Sequence, residues 1–490
     1  MNIALVRPPF YALFGVTTPK MKTYPLNLLY LATYVRELGN HSVEVMDGEN
    51  MAVPDLLPAL GSDQDPEIVM HRGIGRMIKI LNDYDHPLWA ELEKRIEDAN
   101  PDLVGFTCNS GNMDTVRLMV KRLKRRGHKV VLGGSHPTAA PAQSLQYTSA
   151  DLVVMGEGEV TLLALLDAMK NGNGAHSIPG TAVKLGTEIR INPRRDLISD
   201  IDAIPLPDRS LIRQADYFGN VIITGRGCPF NCAYCASRTL WGRKVRLRSV
   251  DSIIEELKTF QNMYRNQEPP PGSTVVKIVD DTFTVSKSRT SRLLDRIVKE
   301  GLNCFEFTAG VRADTLDENL VVQLKQANFR RVTLGVESGS PRILEMIRKA
   351  ETNEDVVRAM RLLRSVGIRS HAFFLIGLPG ERLEDIELSK KLILEARPDY
   401  VEINMVTPYP GTDIFDELMP EGVDRIDRWY RWFHQGLATH SHRLGYDLDQ
   451  AYAEFLAFAR SYNSSQLSPN LRSEMLPVEL TKESCFGGHD

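Results

Sequence analysis

The chain carries three closely spaced thiols, Cys228, Cys232 and Cys235, out of six cysteines in all. A strand-like run at residues 221–224 and a glycine-containing turn at residues 225–227 precede them. One short loop that offers three thiolates can hold three irons of a cubane iron–sulfur cluster, and no fourth cysteine lies close by in sequence to complete the set. The fourth iron would then be open to a small molecule.

Two plainer interpretations compete with a cluster. A zinc site usually shows two separated pairs of ligands, and a redox pair needs only Cys-x-x-Cys. Disulfides fit poorly because six cysteines in 490 residues are sparse and no secretory signal is expected. The remaining Cys108, Cys304 and Cys485 are scattered singly and are interpreted as core or tail residues. The sequence therefore favours a cluster over zinc or a chance pattern.

An aromatic residue, Tyr234, comes directly before the last cysteine of the loop. With the preceding strand, this pattern resembles the radical S-adenosylmethionine (SAM) superfamily. The resemblance implies that Cys228, Cys232 and Cys235 are the metal ligands and catalytic residues of a 4Fe-4S cluster whose open iron is chelated by SAM. It also implies that Tyr234 lies beside the cofactors and that an external electron donor, such as flavodoxin or ferredoxin, reduces the cluster.

Composition narrows the class of protein. The chain is long enough for about three domains of ~150 residues each. Hydrophobic residues make up 42%, charged residues 25%, and the net charge is -4, which is typical of a globular protein that does not attract nucleic acid. No apolar stretch approaches the ~18 residues of a membrane-spanning helix. We therefore expect a cytoplasmic protein with no nucleic-acid partner and no membrane span.

Strand-like runs alternate with helical patterns over the first third of the chain. This alternation predicts a mostly parallel, doubly wound α/β sheet, which binds ligands at the carboxyl ends of its strands. Turn residues follow the predicted strands, and the candidate ligand-binding residues among them are Gly133, Gly134, His136, Gly156 and Glu157. The strand-like runs cover residues 2–6, 42–46, 103–107, 129–132 and 151–155.

Together with residues 25–32, this series resembles the cobalamin-binding (Rossmann-like) domain that precedes the cluster in one large branch of radical SAM enzymes. A remnant domain that no longer binds cobalamin is the main alternative. The fingerprint Asp-x-His-x-x-Gly is absent from the surroundings of all eleven histidines. The resemblance therefore implies cobalamin, in its methyl form, without a lower-face histidine from that motif. For His136, a contact with cobalamin competes with capping of its own loop.

A second alternation follows a proline-bearing stretch at residues 201–208. Six strand–helix units agree with the partial (β/α)6 barrel of the resembled family, and such barrels gather their chemistry at the carboxyl ends of the strands. The predicted strands are centred near Ile222, Val279, Phe307, Leu334, Phe374 and Ile403.

Polar residues follow these strands in the family's order. A zwitterionic cofactor needs an acceptor for its ammonium group and a cation for its carboxylate. By resemblance, Asp280 or Asp281 receives the ammonium group and Arg312 the carboxylate. The alternative is that these side chains cap strand ends or form ion pairs inside the barrel.

The nucleoside part of SAM has further candidates. By resemblance, Glu337 and Ser338 bind the ribose, while Gly377 and Gly380 let the backbone pass close to the adenine. Near the C-terminus, Trp429, Tyr430, Trp432 and Phe433 lie close together, which is more typical of a core or an interface than of a substrate site.

The predicted organisation is a cobalamin-binding domain, a linker, a radical SAM core and a small helical C-terminal region. Their ranges are residues 1–190 with a helical insert at 51–100, then 191–215, 216–412 and 413–490.

The resemblance implies a cobalamin-dependent radical SAM C-methyltransferase that acts on a small molecule, a biosynthetic intermediate. Ring formation, rearrangement or oxidation with the same cofactors is the alternative, because the motifs do not separate these outcomes. Methylthio transfer is disfavoured because a second cluster would need more cysteines than the isolated ones that remain. A corrinoid carrier without enzyme activity would account for residues 1–190 but would leave the cysteine loop without a purpose.

Overall fold

The computed structural model divides the chain into two compact units, which are described separately below. The first unit comprises Met1–Tyr217 and Pro408–Leu437, and the second comprises Phe218–Thr407 and Ala438–Asp490. The predicted domain boundaries stay predictions. The residues that the structure describes are 1–15, 24–51, 66–264, 272–432 and 443–466.

The first unit is built on a mainly parallel sheet. Its strands are β1 (Asn2–Arg7), β2 (Ser42–Asp47), β3 (Leu103–Thr107), β4 (Val130–Gly133), β5 (Leu152–Val154), β6 (Thr181–Leu185) and β7 (Glu188–Ile191). Over the described residues the strand order is β2-β1-β3-β4-β5-β6-β7, which makes a seven-stranded sheet. Strands β1 to β5 pair in parallel, which confirms the predicted sheet, whereas β6 and β7 add an antiparallel edge that was not predicted.

Helices cover both faces of this sheet. They are α1 (Tyr11–Phe14), α2 (Leu26–Gly39), α3 (Pro66–Asn82), α4 (Pro87–Asp98), α5 (Met113–Arg125), α6 (Ser135–Ala139), α7 (Pro141–Thr148) and α8 (Gly158–Lys170). Alternate residues of β1 point to opposite cores, because Ile3 packs with residues of α2 and α8 while Ala4 packs with residues of α4 and α5. The result is a doubly wound unit.

The described part of the predicted insert contains the helices α3 and α4. Trp89 and Ile96 of α4 are fully buried, as their helical spacing predicts. Residues 52–65 of the predicted insert lie outside the described residues.

The described part of the second unit contains eight strands, and six of them are the predicted run of parallel strands. The eight strands are β8 (Asn220–Ile222), β9 (Gly225–Arg226), β10 (Arg246–Leu247), β11 (Val275–Ile278), β12 (Glu306–Val311), β13 (Phe329–Glu337), β14 (Arg369–Ile376) and β15 (Tyr400–Met405). In the described part of this unit, six of them form one sheet in the order β15-β14-β13-β12-β11-β8, and β9 pairs with β10 in a separate antiparallel ribbon. All neighbours in the large sheet are parallel, as expected for a partial barrel.

Helices follow most strands of the second unit. They are α9 (Ser237–Trp241), α10 (Val250–Tyr264), α11 (Lys287–Lys299), α12 (Glu318–Gln326), α13 (Pro341–Met346), α14 (Asn353–Ser365), α15 (Leu383–Ala396) and α17 (Leu448–Gln466), while α16 (Asp413–Leu418) belongs to the first unit. Alternate strand residues such as Ile278, Ala309 and Leu334 join the helices in one apolar core. Within the described ranges, no helix has the length and hydropathy of a bilayer-spanning segment.

Candidate active site at the carboxyl ends of the strands

The cysteine loop begins just after β9, at the carboxyl end of the first barrel strand. Cys228, Cys232 and Cys235 are partly buried free thiols. Gly227 enters the loop with φ +95°, and a Cβ there would lie 2.3 Å from the carbonyl oxygen of Lys244. Only glycine accepts both this backbone angle and this approach. The turn therefore delivers the thiols to the edge where ligands bind in parallel barrels.

Burial keeps the thiols of Cys232 and Cys235 protonated when no metal is bound. Desolvation raises the pKa of Cys232, although the positive charges of Lys349 and Arg312 oppose the shift. Desolvation also raises the pKa of Cys235 to about 11. Both groups therefore hold protons at neutral pH until a metal displaces them.

No group of three His, Cys, Asp or Glu side chains among the described residues converges on a single-ion site. This finding does not argue against a cubane cluster, because each thiolate of a cubane binds a separate iron and the three sulfurs need not meet at one point.

A short segment after α13 holds the cysteine loop, and we call residues 347–351 the loop clamp. The Ala233 amide donates to the Ile347 carbonyl at 2.9 Å, and Arg348 Nε donates to the Asn231 carbonyl at 3.1 Å. Arg348 and Ala350 both have φ +54°, a region that non-glycine residues rarely occupy. Such local strain persists where the surrounding contacts enforce it. No periodic pattern in the sequence predicts this clamp.

A buried acid–base group connects the loop, β13 and the clamp. The Tyr234 hydroxyl donates to Glu337 Oε1 at 2.8 Å, and Lys349 Nζ lies 3.2 Å from the same oxygen. Lys349 also lies 3.2 Å from Glu351 Oε2. Glu337 has φ +69° and is buried, so its carboxylate is held in a fixed place. Sequence reasoning found Tyr234 and Glu337 but missed Lys349 and Glu351.

Arg312 is buried and surrounded by protein partners. Its guanidinium group bonds both oxygens of Asp314 at 3.1 and 3.0 Å and the carbonyl oxygen of Lys349 at 3.1 Å. The guanidinium carbon lies 3.6 Å from the centroid of the Phe230 ring, a cation–π contact with the cysteine loop. Arg312 therefore positions the loop and the clamp, and its contact with the SAM carboxylate stays a prediction.

The two neighbouring aspartates have different environments. Asp280 accepts hydrogen bonds from the Thr224 amide at 2.6 Å and the Gly225 amide at 3.3 Å. Desolvation raises the pKa of Asp280 to about 6, against the lowering effect of its bonds from Thr224. Asp281 is exposed and accepts from the Gly227 amide at 3.0 Å. Asp280 thus anchors the turn before the loop, whereas Asp281 is open to a ligand.

The remaining predicted nucleoside contacts lie after β13 and β14. Ser338 is buried and its hydroxyl accepts from the Ser340 amide at 3.1 Å. Gly377 and Gly380 have φ +89° and +66°, so both occupy the left-handed region. The Gly377 amide donates to Glu381 Oε2 at 2.6 Å.

Glu381 is a buried acid that sequence reasoning did not select. It also accepts from the Tyr446 hydroxyl at 2.7 Å. Desolvation raises the pKa of Glu381 to about 7. Its bond to Gly377 fixes the turn after β14.

In the first unit, His136 lies just after β4 and is almost fully buried. Its Nδ1 lies 2.9 Å from Ser110 Oγ and its Nε2 lies 3.0 Å from Gln143 Oε1. Its ring packs edge-on against Trp429 at 4.3 Å between centroids. Desolvation lowers the pKa of His136 to about 4, so the imidazole is neutral. Both ring nitrogens thus have protein partners.

Local backbone geometry explains part of the glycine content at the carboxyl edge of the first unit's sheet. Gly134 has φ +111°, and a Cβ there would lie 2.4 Å from the Cys108 carbonyl oxygen. Gly133 and Gly156 leave more room, with φ +73° at Gly156. Glu157 accepts from the Ile198 amide at 2.8 Å. Their contacts with a ligand stay predictions.

A second buried network at this edge was missed. Arg7 and Asp47, the last residues of β1 and β2, form an ion pair, and the Tyr217 hydroxyl donates to Asp47. Glu49 accepts from the Phe10, Tyr11 and Ala12 amides at 2.8 to 3.1 Å. This network fixes the loop after β1.

The aromatic residues near the C-terminus belong to the core of the first unit. Trp429 and Trp432 are buried, and Asp114 accepts from the Trp429 and Tyr430 amides at 2.7 and 2.8 Å. These observations support the core interpretation, while Phe433 lies outside the described residues.

Two family models match the chain. The radical SAM superfamily matches residues 222–393, and the B12 binding domain matches residues 13–166. An uncharacterised methyltransferase of Pyrococcus horikoshii is 32% identical over 447 residues, which cover 88% of this chain and 86% of that protein. The chain belongs to the cobalamin-dependent radical SAM methyltransferase family. The family predicted from the cysteine loop together with the N-terminal α/β series is thereby confirmed, and the protein is an enzyme.

Two further comparisons extend this result. The cytidylyl-2-hydroxyethylphosphonate methyltransferase of Streptomyces wedmorensis is 25% identical over 480 residues, which cover 88% of this chain and 85% of that protein. The structure of TsrM, a radical SAM methyltransferase from Kitasatospora setae with cobalamin and a 4Fe-4S cluster bound, aligns with a TM-score of 0.68 and 18% identity. That alignment covers 93% of this radical SAM enzyme and 90% of TsrM, and it supports the fold.

Proposed function

We propose that this enzyme transfers a methyl group to an unactivated carbon of a small-molecule substrate. The main support for this proposal is that one chain combines a B12-binding domain with a strand-end loop that carries three free thiols. The buried hydrogen bond from Tyr234 to Glu337 holds this loop. When bound, a 4Fe-4S cluster with SAM supplies a radical that takes hydrogen from carbon, and methylcobalamin supplies the methyl group.

The cysteine loop fits the proposed cluster. Cys228, Cys232 and Cys235 would each hold one iron, since all are free thiols on one loop. The clamp and the Phe230–Arg312 contact keep this loop in place without any metal, so the ligands are preorganised. An external electron donor such as flavodoxin or ferredoxin would reduce the cluster.

The described contacts divide the SAM-binding candidates by role. Asp281 is the better candidate for the ammonium group, because it is exposed while Asp280 anchors the preceding turn. Arg312 would orient the carboxylate from a fixed position. Glu337 and Ser338 would receive the ribose.

Two turn glycines would bring backbone close to the adenine. Gly377 and Gly380 both adopt left-handed angles at the carboxyl end of β14, where a side chain would be strained.

The first unit would hold cobalamin at the carboxyl edge of its parallel strands. Gly133, Gly134, Gly156 and Glu157 lie at that edge. His136 already has partners on both ring nitrogens, so we propose that cobalamin binds without a histidine on its lower face.

The experiment is an anaerobic assay with reconstituted enzyme, a reductant, hydroxocobalamin and SAM with a deuterated methyl group, so that SAM is the source of every transferred methyl group, offered an extract of the host. We expect release of 5′-deoxyadenosine and S-adenosylhomocysteine, together with a labelled methyl group on a carbon of one metabolite. A product with 5′-deoxyadenosine release but without the label would instead support ring formation, rearrangement or oxidation. Binding of cobalamin without any SAM cleavage by enzyme with an intact cluster would support a carrier.

A further inference from the structure

The second unit's large sheet has an inner face that neither the family comparisons nor the proposed cofactor contacts account for. Along each strand, the residues that alternate with the helix-packed core point to this face. The register places Lys277 of β11 beside Thr308 of β12, and Thr308 beside Arg331 of β13. All three are partly accessible. Two cations thus share one layer, with ~10 Å between their strands.

Neither cation forms a close ion pair with any described residue. Arg331 Nε is buried without a hydrogen-bond partner, and neither Arg331 nor Lys277 forms an ion pair there. Lys277 Nζ has one aromatic neighbour, the Phe218 ring, at 5.9 Å from its centroid. Desolvation lowers the pKa of Lys277, and the charge of Arg331 lowers it further. Desolvation likewise lowers the pKa of Arg331.

The acids of the same face are engaged elsewhere. Glu402, whose charge reaches Arg331, lies 3.2 Å from His371 Nε2 and accepts from Asn404 Nδ2 at 3.4 Å. Glu306 interacts electrostatically with Arg330 and Arg369. The charge that acts on Lys277 is that of another cation, Arg331. The layer around Lys277 therefore offers positive charge.

We infer that Lys277 and Arg331 bind an anionic group of the substrate, a phosphate, phosphonate or carboxylate. Desolvated cations cost free energy unless an anion pairs with them, and an arginine fork with a lysine suits such oxyanions. This inference rests on the proposed function, because it names the substrate class of the same barrel.

The position of the pair along the strand fits a substrate that extends down the inner face. Lys277 is the third of the four residues of β11, and Asp281 follows the end of that strand by three residues. Four residues of chain span at most ~13 Å. An anion at the pair would leave the distal end of a small molecule at the rim where SAM is proposed to bind.

Phosphate binding to the full-length apoprotein tests the inference without any cofactor. Titration calorimetry and thermal unfolding, with inorganic phosphate against chloride at equal ionic strength, would compare the wild type with Lys277→Met and Arg331→Met. We expect each substitution to weaken phosphate binding about tenfold or more, since each removes one charged partner. The controls Lys299→Met and Arg292→Met remove exposed cations of α11 and should leave binding unchanged.

Folding is monitored in the same experiment. Without phosphate, Lys277→Met should melt no lower than the wild type, because the substitution removes an uncompensated charge. Equal phosphate affinity in the wild type and both variants would overturn the inference.

Competition separates a substrate site from a site for free phosphate. Small organic phosphonates and carboxylates should displace phosphate from the wild type, and a site that accepts inorganic phosphate alone would overturn the substrate assignment. Since SAM and cobalamin are absent, failure of methyl transfer would not change these results, so the inference and the proposed function can fail separately.

Discussion

The buried ammonium group of Lys349 pairs with two buried carboxylates. Its ammonium group lies 3.2 Å from both Glu337 and Glu351, and all three side chains are buried. Inside a protein, such charges are tolerated because each has a partner, and the loss of one partner leaves the others desolvated and unpaired. The Tyr234 hydroxyl joins the same group, so the position of the cysteine loop depends on this charge balance.

Lys349→Met should lower the free energy of unfolding by about 3–5 kcal/mol, because Glu337 and Glu351 lose their cation. Urea unfolding of the apoprotein measures this change. The double variant Lys349→Met with Glu337→Gln should recover part of the loss, and Lys299→Met should stay within about 0.5 kcal/mol of the wild type. An unchanged midpoint for Lys349→Met would show that the group does not stabilise the fold.

Because of His136, the free energy of unfolding of the first unit should fall as the pH is lowered. Its pKa in the folded state is lowered by desolvation to about 4, whereas a histidine in the unfolded chain keeps its ordinary pKa of 6.5. Between these values the unfolded chain binds the proton and the folded chain does not, so stability is full above pH 6.5 and falls as the pH drops towards 4. The loss amounts to about 3 kcal/mol. Urea unfolding from pH 7 to pH 4 should show a flatter profile for His136→Asn than for the wild type.

At the scale of elements, strand ends and turns position the site. The cysteine loop is fixed at its start by Asp280, which accepts from the turn before it, and along its length by the loop clamp. The clamp carries two left-handed residues without being glycine-rich, and such conformations cost about 1–2 kcal/mol each for non-glycine residues. Neighbouring contacts must offset this cost, because Arg312 bonds the clamp carbonyls of Lys349 and Ala350.

Ala350→Gly should therefore be neutral or stabilising by up to about 1 kcal/mol, because glycine tolerates φ +54°. Ala350→Val should be destabilising by about 2 kcal/mol, since a β-branched side chain adds strain at this angle. Denaturant unfolding and iron content after reconstitution report both effects. A helical control, Ala164→Gly in α8, should cost about 1 kcal/mol, the opposite sign. The same sign at both alanines would refute the strain at Ala350.

At the scale of the whole molecule, each of the two units has its own hydrophobic packing. The apolar clusters of the first unit are built from its own strands, helices and C-terminal tryptophans, and the cluster of the second unit is built from the barrel strands and their helices. The three cysteines belong to none of these cores. The thiols can thus be removed without loss of the packing that folds either unit.

The triple variant Cys228→Ala, Cys232→Ala and Cys235→Ala should lose its iron and its brown colour after anaerobic reconstitution while it keeps its secondary structure. Iron analysis, visible absorption and circular dichroism measure the three properties. Cys108→Ala, which removes a buried thiol of the first unit, should retain the iron. Full iron content in the triple variant would refute the assignment of the cluster ligands.

The sequence determined the elements and their order well. Hydrophobic periodicity predicted the parallel strands and the helical patterns between them, because these patterns reflect which side of each element is buried. The strand predicted near Val279 ends one residue earlier, at Ile278, since the exposed Val279 already belongs to the loop. The antiparallel edge of β6 and β7 escaped prediction, because short strands at a sheet edge alternate weakly and depend on pairing with a neighbour.

Residue spacing by itself determined the cysteine loop, since a cluster demands several thiols in one short segment. Only the tertiary structure decided which of two adjacent aspartates is open, because Asp280 is committed to Thr224 and Gly225, residues more than fifty positions earlier. It likewise decided that Lys349 pairs with Glu337 and that Lys277 and Arg331 share one face of the sheet. Ion pairs and shared faces depend on distances across strands, and no local pattern in the chain encodes those distances.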